Sequence, residues 1–150
     1  MAAELVKLQE ENAIAAKEDR VNFDELIRQA VLINGNVATF SLETDEDKAR
    51  LFNAMNSADS LSDYQDTPIS VVDFVFTEPS TKYDEEGEGI ATIIIDETGA
   101  AHYSMSTGIY QSAKELIKTF GAPSTWTSPK VVIVSERQTK NGQSYKFLKM

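Results

Sequence analysis

The sequence predicts an α+β fold in which β-structure dominates: five strands with one helix between the third and fourth, preceded by N-terminal helices. Three observations carry this. Runs rich in β-branched and aromatic residues, bounded by Pro, Gly or Asn, fall at residues 69–77, 90–96, 101–106, 130–137 and 144–149. One run of helical periodicity lies between the third and fourth of them. Two further helical patterns with N-terminal signals come before all five strands.

Residues 1–20 are polar and alanine-rich, with Leu5, Leu8 and Ile14 as the main apolar positions, and read as a frayed or partner-dependent helix. Asn22 is an N-cap with Glu25 three residues on, an Asn-headed variant of the capping box. Leu26, Ile27, Ala30 and Val31 then share one stripe, and Asn34-Gly35 stops the helix. A short extended piece is expected at Asn36–Leu42. Thr44 with Asp47 opens another helix, running to about Met55, with Leu51, Phe52 and Met55 on its apolar face.

Ile69–Thr77 (ISVVDFVFT) is the first long strand, lying between Pro68 and Pro79. Ile90–Asp96 follows, joined through Glu97-Thr98-Gly99-Ala100 to Ala101–Ser106 as a hairpin. Thr107 opens the intervening helix, with Ile109, Tyr110, Ala113, Leu116, Ile117 and Phe120 on one face; Gly121 ends it and Pro123 prevents continuation. Lys130–Arg137 and Ser144–Lys149 are the last two strands, and Asn141-Gly142 between them is the clearest hairpin turn in the chain. Three strands, a helix and two strands is the order of the OB-fold, a five-stranded Greek-key barrel. The chain divides accordingly into a helical extension, residues 1–35, and a barrel domain, residues 36–150.

A chain of 150 residues is one domain's worth and can bury its own core. It has no cysteine, so disulfides and thiolate metal sites are excluded. Acids begin at Glu4, which argues against a signal peptide, and the longest strongly apolar run is Ile90–Ile95. A protein of the cytoplasm with no membrane contact is the expectation. The net charge of −10 argues at first sight against a nucleic-acid partner, but its distribution is uneven. Residues 1–97 carry 7 basic and 22 acidic side chains, a net of −15; residues 98–150 carry 7 basic and 2 acidic, a net of +5. Such a split points to a basic surface built from the C-terminal part.

Enzyme signatures are absent. The seven glycines are scattered singly, so no phosphate-cradling loop exists, and the lone histidine, His102, reads as structural. No cofactor or metal is expected. The acidic cluster Asp84-Glu85-Glu86-Gly87-Glu88 lacks the alternating spacing of a calcium loop and reads as a solvated hairpin tip. Asp73, inside an apolar strand, reads as a barrel-edge or bulge position.

Aromatic and basic residues carry the better signal, because single strands need ring faces for their bases and cations along their phosphates. Tyr145 and Phe147 share one face of the last strand and Lys146 and Leu148 the other. Lys130, Arg137, Lys140, Lys146 and Lys149 cluster in the last two strands and their hairpin. Phe74, Phe76 and Phe147 read first as core. Tyr103, Trp126 and Tyr145 carry polar handles suited to half-exposed places. The candidate nucleic-acid-binding residues are therefore Tyr83, Tyr103, Trp126, Lys130, Arg137, Lys140, Tyr145 and Lys146.

The stretch TDEDKARLFNAMNSADSLSDYQDTPISVVDFVF resembles the start of a family of single-stranded DNA-binding proteins from phages and conjugative elements of Gram-positive bacteria. TGIYQSAKELIKTFGAPSTW and KVVIVSERQTKNGQSYKFLKM extend the resemblance, which covers roughly residues 37–150. It implies single-strand binding during replication or transfer of a phage or plasmid, in a bacterial host. It transfers no contact residues. The chain departs from the pattern in its acidic insertion and negative total, and it ends in Phe-Leu-Lys-Met without an acidic recruiting tail. The expected partner is single-stranded DNA, or RNA, held with little sequence preference, and the N-terminal helices are the candidates for homo-oligomerisation. The rival reading is an acidic protein that imitates DNA and binds a DNA-handling enzyme.

Overall fold

The computed structural model describes residues 23–78 and 90–150. Helices α1 (Phe23–Asn34), α2 (Asp45–Ser57) and α3 (Thr107–Phe120) surround a seven-stranded sheet. Its strands are β1 (Asn36–Ala38), β2 (Asp59–Ser60), β3 (Ile69–Thr77), β4 (Ala91–Asp96), β5 (Ala101–Ser104), β6 (Lys130–Gln138) and β7 (Ser144–Lys149). The sheet runs in the order β2-β5-β4-β3-β6-β7, with β1 paired to β3 off that path. Asn22, the expected first cap, lies outside the described residues, as do the 1–20 segment and the acidic 84–88 cluster.

The five long strands stand where their β-branched runs put them, but the sheet holds seven. Two short strands, β1 and β2, join them. β3 pairs with both β4 and β6, β4 with β5, and β6 with β7, all antiparallel. The outer neighbour of β5 is β2, running parallel to it, and not β7. The sheet therefore curls without closing among the described residues. The sequence did not announce β2 or the 3-10 turn at Leu61–Tyr64 after it, because both are held by distant partners: Leu61 is buried in the core, and Gln65 bridges to Val134.

Each sheet face has its own core. On one face Ile27 and Val31 from α1 and Ile109, Ala113 and Ile117 from α3 pack on Phe74, Phe76, Ile94, Val132 and Val134. On the other, Ala54 of α2 and Phe40 pack on Val75, Ile93, Ile95 and Ala101. Covered on both faces, β3 reads as a nearly unbroken apolar run and not as an alternating one. Thr44 caps α2 as expected, its hydroxyl accepting from Asp47 N at 3.1 Å. Phe52, however, is 65% exposed. Leu51, Ala54 and Met55 form the face that meets the sheet, and Phe52 lies outside that stripe.

Polar groups that enter the core are tied off. The β3–β4 register shifts between Val71 and Asp73, so Asp73 does sit at a bulge. There its carboxylate accepts from Thr39 Oγ1 at 2.9 Å and Arg50 Nη2 at 2.6 Å, fastening α2 to the sheet. His102 is buried, with Nε2 3.0 Å from Asp96 Oδ2 and its ring edge-on to Tyr64 at 4.3 Å. Burial raises the Asp96 carboxyl, but hydrogen bonds from Thr98, His102 and Ala100 outweigh it and hold the group below the usual carboxylate range. Asp24 of α1 accepts from Lys114 Nζ of α3 at 2.8 Å and from Arg28 Nε at 2.9 Å.

α3 lies along the outer edge of β7. Leu148 N donates to Ser112 Oγ at 3.0 Å, and the first turn of α3 is close enough that a Cβ on Gly108 would overlap the Lys146 carbonyl oxygen. Backbone cannot yield as a side-chain end can, so Gly108→Ala is expected to push α3 off β7. The expected cost is about 1–3 kcal/mol or more, read as a lowered urea midpoint in an otherwise two-state transition. An unchanged midpoint would mean that the helix and the strand can part at this point without loss.

Candidate nucleic-acid interface

The β6–β7 ribbon is set by its turn. Gly142 takes φ +81°, Thr139 N donates to Gln143 O at 2.7 Å, and Gly142 N to Thr139 O at 3.0 Å. The resulting register places Arg137 opposite Tyr145, Glu136 opposite Lys146, Ser135 opposite Phe147 and Val134 opposite Leu148. Side chains alternate, so Val132, Val134 and Leu148 face the α1/α3 core. Val131, Ile133, Arg137, Tyr145, Phe147 and Lys149 share the outer face.

That outer face is where rings and cations meet. The Tyr145 and Phe147 rings lie 5.8 Å apart, tilted by 43°. Tyr145 is 38% exposed and Val131 is 49% exposed, while Arg137 and Lys149 are exposed on the same face. Lys140 is exposed at the hairpin tip. The rest of the sheet's outer face lies beneath α2 and Phe40, so the ribbon is the part left open. Beside it a groove of about 530 Å³ runs between α3 and β7, floored by Leu116, Phe120, Phe147 and Leu148.

The remaining expected residues fall into two other places. Lys146 faces away from Tyr145, on the Glu136 side, and meets Tyr103 across a small pocket. Trp126 is half-buried, its Nε1 donating to Gly121 O at 3.1 Å and its ring edge-on to Phe74. Lys130 Nζ lies 4.6 Å from the Phe120 ring and 5.7 Å from that of Trp126. Phe120, expected in the core, is 41% exposed beneath that ammonium. Tyr83 lies outside the described residues. The sequence-based set omitted Phe147 and Lys149, although the period of two that selects Tyr145 also selects them.

Charge divides along the same line. Exposed acids Glu43, Asp45 and Glu46 lead into and open α2, and Asp59, Asp63 and Asp66 follow it. The ribbon carries Arg137, Lys140, Lys146 and Lys149 against the single acid Glu136. A phosphate backbone approaching this surface is attracted to the ribbon and repelled from α2.

Among the described residues no group of three His, Cys, Asp or Glu side chains could hold a metal ion, and no helix is long and apolar enough to cross a membrane. A curled antiparallel sheet that leaves a ring pair open between cations has the surface of a sheet-based nucleic-acid-binding module. The chain belongs to the phage single-stranded DNA-binding protein family, whose family model matches residues 33–150. It is also 34% identical over 106 residues to the single-stranded DNA-binding protein of Bacillus phage GA-1, an alignment covering 64% of this chain. The chain spans 62% of that relative's length. No solved structure matches this one.

Proposed function

We propose that the protein binds single-stranded DNA with little sequence preference, without catalysis, and shields it during replication of a phage or mobile element. The observation that carries this is the Tyr145–Phe147 ring pair on the open face of the β6–β7 ribbon, with Arg137 directly across from Tyr145. Every base has a π-face, so rings accept any sequence, while Arg137, Lys140 and Lys149 follow the phosphates. The family membership supports the same reading. The order of the five long strands further supports reading the sheet as an OB-type half-barrel, with α3 standing between the third and fourth of them. On this reading Lys130 over Phe120 and Trp126 marks one flank of the path, and Tyr103 with Lys146 the other.

Fluorescence anisotropy with labelled oligo-dT and a matched duplex tests this. Binding to the single strand is expected to be tight and to weaken steeply between low and moderate salt, with little binding to the duplex. Arg137→Ala and Lys149→Ala are each expected to flatten the slope of log affinity against log salt by about one. Failure of the native protein to bind the single strand would overturn the reading, and the acidic surface would then point to a protein partner.

A further inference from the structure

We propose that the seam between β5 and β7 seats a single pyrimidine base of the bound strand. This rests on the single-strand reading above and adds to it a position at which one-ring and two-ring bases are told apart.

The seam exists because the sheet does not close among the described residues. β5 has the two-residue β2 as its outer neighbour, β7 has α3, and a pocket of about 150 Å³ opens where the two strands do not pair. A void of that size holds one benzene-sized ring. A six-membered pyrimidine therefore enters it, whereas a fused purine has one ring too many.

The lining suits such a base on every side. Leu61 and Val134, both buried in the core, and Met105 give apolar walls for the ring faces. Tyr103 lines one side as the β5 residue opposite Ser60, and Lys146 of β7 lines the other. Three hydroxyls meet the base edge. Ser104 Oγ accepts from Ser106 N at 3.0 Å, which leaves its own proton to donate. Ser60 and Ser62 share one hydrogen bond of 2.8 Å between their hydroxyls, and Ser60 Oγ also accepts from Ser62 N at 3.4 Å, leaving one proton and two lone pairs. A set that both donates and accepts satisfies the keto edge of thymine and the amino edge of cytosine alike. The pocket thus separates pyrimidine from purine without choosing between pyrimidines.

Photocrosslinking of the native protein to an oligomer carrying 5-iodo-deoxyuridine, with mass-spectrometric mapping, tests the placement. A crosslink on the peptide containing Tyr103 and Met105 is the expected result. In parallel, Ser62→Phe would fill the pocket from an exposed turn position. It is expected to weaken oligo-dT binding about tenfold, the worth of one stacked base, while leaving oligo-dA binding unchanged. Crosslinks confined to Tyr145 and Phe147, or native oligo-dT affinity in a folded Ser62→Phe protein, would overturn the pocket and leave single-strand binding standing. Absence of binding to either oligomer by the native protein would overturn both.

Discussion

Asp24→Ala is expected to destabilise the protein by about 3 kcal/mol, because it strands a buried ammonium. Lys114, 4% exposed on α3, has that ammonium 2.8 Å from Asp24 Oδ1 and 4.2 Å from the centre of the Tyr110 ring. Removing the carboxylate leaves the charge in the core without its counter-ion, which costs about 3–5 kcal/mol when both partners are buried. Asp24 keeps some contact with water, which places the expectation at the lower end. Lys114→Met should cost much less, because Asp24 then remains hydrated and paired with Arg28 at 2.9 Å. Urea unfolding of the two variants checks the asymmetry; equal losses would show that the pair is not a buried one. The same site sets an acid limit. Burial raises the Asp24 carboxyl, but hydrogen bonds from Lys114 and Arg28, with the Tyr110 hydroxyl nearby, outweigh it and hold the group at about 2, below its ordinary 3.8. Its contribution is therefore complete above pH 3.8 and is lost as pH falls towards and through about 2. The Asp24→Asn protein should show a shallower decline over that window.

The double variant Tyr145→Ala/Phe147→Ala is expected to weaken oligo-dT binding roughly a hundredfold. A base stacked on an aromatic side chain contributes about 1–3 kcal/mol, and on the proposed reading two rings 5.8 Å apart would meet neighbouring bases, so their losses would combine without being strictly additive. Tyr145→Phe keeps the ring and should keep the affinity. The salt dependence should be unchanged in the double variant, because no phosphate contact has been removed. A folded double variant with native affinity would place the strand elsewhere on the molecule.

Much of the fold and of the ribbon is legible in the sequence alone. The β-branched runs mark the five long strands, and Thr107 through Gly121 marks α3, because those signals are local. Asn141-Gly142 fixes the hairpin register, and with it the meeting of Arg137 and Tyr145. Contacts made between distant segments leave no such trace. Nothing near Ser60 says that it pairs with Tyr103, and nothing near Gly108 says that the Lys146 carbonyl will lie against it. Phe52 and Phe120 belong to helical patterns that contain more apolar positions than the sheet can cover, so the surplus ring ends outside. The expected barrel likewise depends on β5 meeting β7, a closure that no local pattern encodes.

The alignment of α3 with the rim of β7 bears on how copies of the protein can crowd together. A coat laid along a polymer concentrates its subunits, and an open strand rim at such concentrations invites end-to-end stacking into fibres. Here Leu148 N is already spent on Ser112 Oγ, the Lys146 carbonyl faces helix backbone, and the opposite margin of the sheet is a strand of only two residues. At these two margins, among the described residues, no long strand rim stands open to another chain. Neighbours on one DNA strand would then abut through side-chain surfaces and separate again when the strand is released.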